Sequence, residues 1–346
     1  MKCKYLEHQV MIRPDGEFRM CCISLEDHNK ENITNTTIKE WNKSETITKA
    51  KEQLANGIFP NACAKCKYLE SKGQDSMRTR PREYGPGISH LDLRFSNQCN
   101  LRCSMCYPGS SSSLYLEHFE LLEKGLESPW IVSKDVNYNW FNNDRADQLA
   151  SNPDLREVYL TGGEPMMVRG LEYFISKLDP SVELRFNTNG TLFNPKLYEQ
   201  FKRFNAVNLN VSVDGVGKVN DYIRWGSNFK TIEDNIKRWQ DVADVNVGPT
   251  IQVMNILYAD EYIEWANNNN LEIWDNLLIN PPCLNIKNAP DAIKKNITNP
   301  DYLYTVNDKA DQKQFDEFRK WISILDTNRG ISIKDYLPEV AEAYGM

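Results

Sequence analysis

The sequence predicts an α/β protein: a partial (β/α)6 barrel of the TIM type, with a small cysteine-rich module before it and a helical cover after it. Three observations carry that prediction. First, β-prone runs alternate with helical stretches, at His90–Ser96, Glu157–Thr161, Val182–Asn187, Val207–Val213, Gly248–Met254 and Asn276–Ile279. Repeated βα units imply parallel strands with right-handed crossovers. Second, polar motifs stand at or just after the ends of the first four runs, where such barrels collect their reactive groups. Third, cysteines crowd both the first connection and the segment ahead of the first strand. The expected boundaries are residues 1–87 for the module and its linker, 88–283 for the barrel, and 284–346 for the helical extension.

A chain of 346 residues can bury a sizeable core and suggests about two domains. A formal net charge of −7 and an isoelectric point near 5.4 argue against a broad nucleic-acid footprint. No apolar run approaches the ~20 residues that span a bilayer. Met1-Lys2-Cys3-Lys4-Tyr5 opens no apolar signal-peptide region. The expected setting is cytoplasmic. Of nine cysteines, five stand in close spacing, Cys63-x2-Cys66 and Cys99-x3-Cys103-x2-Cys106, which reads as metal binding in a reducing compartment rather than a disulfide framework.

Within the module, Pro14-Asp15-Gly16-Glu17 is a turn signal between Gln9-Val10-Met11-Ile12 and Phe18-Arg19-Met20. A hairpin there brings Cys3 and Cys21 to the same end of the two strands. Thr37 to Asn56 reads as one helix, with Ile38, Trp41, Ile47 and Ala50 among its apolar positions, returning Cys63 and Cys66 toward the first pair. Four thiolates around one site suit a fully ligated iron–sulfur cubane or a structural zinc, and unrelated thiols are the plainer reading. Cys22 competes with Cys21 as a ligand. The polar run from Glu70 to Arg82, closed by Gly85-Pro86-Gly87, reads as a connector. Its Lys72, Arg78, Arg80 and Arg82 are solvated linker charges or a cationic wall for an acidic substrate.

The stretch Ser96 to Cys106 follows the strand-like run Leu91-Asp92-Leu93-Arg94-Phe95. Ferredoxin-type cubanes take four Cys. Three on one short loop leave one iron open, and an open metal position marks a chemical site. The bland reading is a zinc loop or buried thiols. Downstream stand Tyr159-Leu160-Thr161-Gly162-Gly163-Glu164-Pro165, Phe186-Asn187-Thr188-Asn189-Gly190-Thr191 and Val211-Ser212-Val213-Asp214-Gly215. In these residues the sequence resembles the radical S-adenosylmethionine (SAM) superfamily, whose C-x3-C-x-Φ-C pattern is followed by G-G-E-P. The resemblance covers roughly residues 88 to 283.

That resemblance implies a [4Fe–4S] cluster on Cys99, Cys103 and Cys106, with SAM chelating the open iron. It places Gly162, Gly163 and Glu164 at the amino group of the SAM methionine moiety. Met105 stands where the family has an aromatic residue beside the adenine, with Tyr107 close behind. Ser212 and Asp214 resemble positions near the ribose or methionine part, Arg224 is a partner for the SAM carboxylate, and Asn187 is a further cofactor-binding candidate; loop capping is the plainer role for Asn187, Asn189 and Asp214. The implied chemistry is reductive cleavage of SAM to a 5′-deoxyadenosyl radical that abstracts hydrogen from a substrate. The spacing Cys3-x12-Gly16-x4-Cys21 looks like the opening of the SPASM/twitch motif, which accompanies peptide-modifying members. It implies an auxiliary [4Fe–4S] cluster on Cys3, Cys21, Cys63 and Cys66. Cys21 is preferred to Cys22 because it keeps the glycine spacing. The family usually carries this module after the barrel, and here it comes first.

Substrate identity is less legible. Trp130, Tyr138, Trp140 and Phe141 pack on the barrel or form a lid. Cys283, after the sixth run, is a buried thiol or a hydrogen donor of the kind that peptide epimerases use. Asp311-Gln312-Lys313-Gln314-Phe315 opens a helix with Phe315, Phe318, Trp321, Ile322 and Leu325 on its apolar face. The expected partners are a peptide, protein or small-molecule substrate and a reductant such as flavodoxin or ferredoxin. The leading function is radical SAM modification of a peptide or protein by cross-linking, oxidation or epimerisation. The alternatives are a small-molecule radical SAM enzyme or glycyl-radical activase, and a non-catalytic iron–sulfur electron-transfer protein.

Overall fold

A computed structural model describes residues 1–25, 31–130, 132, 138–297 and 311–346. Residues 298–310 of the expected C-terminal extension lie outside this description. The chain forms two compact units: residues 1–98, 134–187 and 194–208, and residues 99–133, 188–193 and 209–346. No helix among the described residues is long and apolar enough to cross a membrane.

In the first unit the strands are β1 (Gln9–Ile12), β2 (Phe18–Arg19), β3 (His90–Leu93), β4 (Glu157–Leu160) and β5 (Glu183–Thr188), in the order β2-β1-β3-β4-β5. β1 and β2 form the expected antiparallel hairpin, Ile12 opposite Phe18, around Gly16. The other pairs are parallel. Sequence patterning did not foresee that β1, from the cysteine-rich module, lies directly beside β3. Val10, Ile12, Leu91, Leu93, Val158, Leu160, Leu184 and Phe186 are each 0–1 % exposed. Each such buried side chain contributes roughly 1.5–3 kcal/mol, which makes this row the core of the unit. Phe186 meets Phe201, at the end of helix Pro195–Phe201, with ring centroids 5.4 Å apart.

The predicted single helix over Thr37 to Asn56 is two helices, Ile38–Trp41 and Glu45–Ala55. The cause is local. Thr37 and Glu40 close a capping box on the first helix, and the Ser44 side chain caps the second by accepting from Ile47 N. Two N-caps seven residues apart favour two starts over one run. The predicted solvated connector also differs. Arg78 pairs with Glu70 and donates to the Lys2 carbonyl at 2.9 Å, and Arg82 pairs with Glu157.

In the second unit the strands are β6 (Val207–Val211), β7 (Asp244–Val247), β8 (Thr250–Ile251), β9 (Glu272–Ile273) and β10 (Asn276–Leu277); β6 begins in the first unit. They form the orders β6-β7-β9 and β10-β8. The fifth strand therefore begins earlier than Gly248. Its two halves are separated at Gly248-Pro249 yet keep one register, Val247 opposite Ile273 and Thr250 opposite Asn276. Trp274 N donates to Val247 O at 2.8 Å and Asn276 N to Pro249 O at 2.9 Å, so the ladder continues through the break. Pro249 brings no N–H of its own. Helix Gln312–Arg329 forms as expected, capped by Asp311, with Phe318, Ile322 and Leu325 buried.

Candidate active site

The three-cysteine loop belongs to the second unit and is fixed by its backbone. Cys99 N donates to Ser112 Oγ at 3.2 Å, and Ser113 Oγ donates to Cys99 O at 2.7 Å. Arg102 N and Ser104 N donate to the carbonyls of Trp225 and Ile223, both at 2.8 Å. Carbonyl groups on the far side of the loop accept from side chains: Leu101 O from Ser111 Oγ, Ser104 O from Trp321 Nε1, and Cys106 O from Trp130 Nε1. Arg329 Nη2 reaches Arg102 O at 2.7 Å while its guanidinium grips the fully buried Glu117 at two 2.9 Å contacts. Bidentate pairs of this kind fix geometry as well as charge. The loop therefore does not have to pay its full ordering entropy when a ligand arrives. Sequence reasoning missed Arg329 altogether and took Trp321 only for an apolar helix position, because both act on the loop from the distant C-terminal helix.

Arg224 and Asp214 stand beside the cysteines. Arg224 Nε lies 2.8 Å from Asp214 Oδ2 as a buried ion pair, and Arg224 Nη1 is 3.9 Å from Cys103 Sγ. Thr250 N donates to Asp214 Oδ1 at 2.7 Å. Burial raises the Asp214 carboxyl, while Arg224 opposes the rise. Burial likewise pushes the Cys103 thiol up, opposed by Arg224, and lifts Cys106 to about 11. Asn189 Nδ2 donates to Asn100 Oδ1 at 2.9 Å and lies 4.0 Å from Cys99 Sγ. Met105 packs on the apolar cluster that holds Met254 and Cys283, whereas Tyr107 is half exposed. Ser212 N donates to Thr188 O at 2.8 Å. Cys283 is buried and lines a cavity with Pro281, Glu317 and Trp321. Burial raises its thiol to about 11.

The Gly-Gly-Glu-Pro segment lies in the first unit, as does the half-buried Asn187 on β5. Gly163 packs against the residues just ahead of Cys99. A Cβ at Gly163 would stand 2.2 Å from Gln98 O, and Glu164 N donates to that oxygen at 2.6 Å. Gly162 holds a φ of +115°, which side chains disfavour. Glu164 is 1 % exposed and its Oε1 accepts from Met166 N at 3.0 Å. A buried carboxylate beside open backbone suits a cationic amine.

The four remaining predicted ligands come together. Cys3, Cys21, Cys63 and Cys66 line one pocket with Tyr5, Leu6, Met20, Met77 and Arg78. Cys22 lies outside that lining and is open to solvent. Burial raises the Cys3 and Cys21 thiols. Among the described residues no three His, Cys, Asp or Glu side chains sit close enough to hold a single metal ion. A cubane asks for a different arrangement, since each thiolate meets a different iron. Four sulfurs around an apolar pocket and three on a pinned loop are donor sets that fit such clusters.

A three-thiol loop after β3 and a glycine-rich turn after β4, on parallel α/β strands, are features of the iron–sulfur class of proteins. Residues 93–264 match the model of the radical SAM superfamily, and residues 3–67 match the SPASM iron–sulfur cluster-binding domain. The chain belongs to the radical SAM superfamily. That class uses a [4Fe–4S] cluster and SAM, and the SPASM match implies an auxiliary cluster.

A GTP 3′,8-cyclase from Helicobacter pylori is 24 % identical over 201 residues, 54 % of each chain. The radical SAM cyclopropyl synthase TigE from Paramaledivibacter caminithermalis is 24 % identical over 226 residues, 62 % of this chain and 46 % of that one. The chain spans about half the length of the curated relatives it matches. Streptococcus suis SuiB bound to its precursor peptide SuiA aligns with a TM-score of 0.43 and 12 % identity, over 88 % of this chain and 55 % of that one.

Proposed function

We propose that the protein is a radical SAM enzyme that modifies a peptide or protein substrate, with an auxiliary cluster on Cys3, Cys21, Cys63 and Cys66. The observation that carries this reading is the convergence of those four cysteines on one pocket, inside the segment that matches the SPASM domain. With cluster and SAM bound, one-electron reduction supplies a 5′-deoxyadenosyl radical able to take a hydrogen atom from the substrate.

The chain's own residues then have separable tasks. Cys99, Cys103 and Cys106 hold the cluster and leave one iron for SAM. Gly162 and Gly163 admit the SAM backbone, and Glu164 receives its amine. Arg224, pinned by Asp214, keeps positive charge beside Cys103 and offers its remaining guanidinium edge to a carboxylate. Met105 and Tyr107 flank the loop where the adenine is expected, with Asn187 and Ser212 for the ribose or methionine part. Trp130 and Trp321 shield the loop from water. Cys283 stays protonated near neutral pH, as hydrogen-atom return requires. The reductant is a flavodoxin or ferredoxin, and the reaction is placed in the cytoplasm.

The GTP 3′,8-cyclase relatives favour one second reading, a small-molecule substrate. The two are separated in reconstituted protein supplied with SAM and dithionite. Deoxyadenosine release stimulated by peptides from neighbouring genes, with a mass change in the peptide, supports the first. Stimulation by GTP alone contradicts it.

A further inference from the structure

The strand row of the first unit has two unlike faces. In-register pairing aligns Met11, Asp92, Tyr159 and Arg185 across β1, β3, β4 and β5, with Gln9, His90, Glu157 and Glu183 one row earlier. Side chains alternate along a strand, so the intervening residues, Val10 to Phe186, fill the opposite face and are wholly apolar. Parallel strands covered on both sides are ordinarily apolar throughout. Here one face is mostly polar.

At the strand starts the charged groups pair off, although Gln9 Oε1 has no hydrogen-bond partner among the described residues. Glu157 pairs with Arg82, stands 3.6 Å from Arg185 and 4.0 Å from His90. The next row does not. Asp92 is 2 % exposed, and its Oδ1 has no hydrogen-bond partner among the described residues. Arg94, two residues on and on the same face, has an unpartnered Nε. A buried polar atom left unpaired is costly, and native folds keep few of them. Desolvation lifts the Asp92 carboxyl to about 6, with Arg94 opposing. Cys22 has an exposed side chain, yet partial burial and then Asp92 push its thiol up while Arg94 pulls it down; burial and Asp92 likewise raise the Tyr159 hydroxyl. Arg94 also touches the cofactor cradle: a Cβ on Gly162 would lie 3.0 Å from Arg94 Cβ.

We propose that Asp92 and Arg94, with Tyr159 beside them, form a substrate-reading site that grips an N–H and a C=O facing the same side of a substrate. The carboxylate accepts from the N–H and the guanidinium donates to the C=O. A simple anion is repelled by Asp92, a simple cation by Arg94, and an apolar group leaves both unpaired. Two substrates present such a pair: one residue of an extended peptide, whose own N–H and C=O point the same way, and the lactam edge of guanine. The assignment to a peptide rests on the function proposed above; the site itself does not.

Cys22 supplies the readout. In anaerobically reconstituted protein, its alkylation by iodoacetamide is followed by peptide mass spectrometry, with an added free-thiol peptide as the internal control. The probes, at millimolar concentration, are acetyl-Gly-Gly-methylamide, its fully N-methylated analogue, and GTP. Slowing of Cys22 alkylation at least several-fold by the glycine peptide but not by the N-methylated one supports the site and the peptide assignment. Slowing by GTP alone supports the site and overturns the peptide assignment. Asp92→Ala and Arg94→Met, each checked for unchanged iron content, are expected to abolish the protection. Protection that survives either of the folded variants, or no protection by any probe while deoxyadenosine still forms, overturns the site and leaves the radical SAM reading standing.

Discussion

The two cysteine groups are built in opposite ways. Cys99, Cys103 and Cys106 are neighbours in sequence, and their loop is held by side chains and carbonyl groups from remote segments, Trp225, Trp321 and Arg329 among them. Cys3, Cys21, Cys63 and Cys66 are scattered over the first 66 residues and meet only through packing. In the first group the ligand set is local and its rigidity is imported. In the second the set itself is the product of folding. Damage to the loop's supports should therefore cost stability and cluster geometry together, whereas loss of one pocket cysteine should cost its cluster and spare the loop.

The largest effect is expected at Arg329→Ala, which takes the bidentate partner from the fully buried Glu117 and leaves it only Arg102 at 3.9 Å and the Asn328 amide at 3.3 Å. Breaking such a pair costs about 3–5 kcal/mol. Denaturant unfolding should show that loss, and the cluster's paramagnetic spectrum should broaden or shift. A variant of unchanged stability would remove the claim that the C-terminal helix organises the loop.

Gly163→Ala comes next. Its Cβ would meet a backbone oxygen at 2.2 Å, which side-chain rotation cannot relieve. Overpacking of this sort costs about 1–3 kcal/mol. SAM affinity, measured by equilibrium dialysis, should fall by more than tenfold while the iron content of the pocket stays constant.

Asp92→Asn touches neither cysteine group and is the mildest. The Asp92 carboxyl titrates at about 6 in the fold against 3.8 when unperturbed. Protonation thus favours the folded state: the stability it contributes is full below about pH 4 and lost as pH rises to about 6. Relative to Asp92→Asn, the native chain should lose on the order of 2 kcal/mol across that window. Parallel unfolding curves at pH 4 and pH 7 check it, and a constant difference between the two proteins would contradict it.

What was legible in the sequence was what is local. The hairpin around Gly16 follows from its turn residues, the helix after Asp311 from its periodicity, and the loop ligands from their spacing. What was not legible depends on distant partners or on small interruptions. Glu117 and Arg329 are 212 positions apart, and neither alone suggests the other. Asp244–Val247 carries two polar residues in four and so gives little strand signal, while the more apolar Gly248–Met254 attracts the strand assignment although Pro249 divides it. The Thr37 to Asn56 helix was read as one because its apolar spacing runs across Ser44, whose capping role shows only in the hydrogen bond to Ile47 N. The four pocket cysteines line one cavity, and the pairing of β1 with β3 has no signature in either strand.

The most direct measurement is an iron and labile-sulfide count after anaerobic reconstitution, on the native chain, on Cys99→Ala/Cys103→Ala/Cys106→Ala, and on Cys21→Ala beside Cys22→Ala. Two cubanes predict about eight irons in the native chain and in Cys22→Ala, and about four in each of the other two. Deoxyadenosine release should vanish only in the triple variant. About four irons in the native chain, falling to none in the triple variant, would contradict the auxiliary cluster and with it the main support for a peptide substrate.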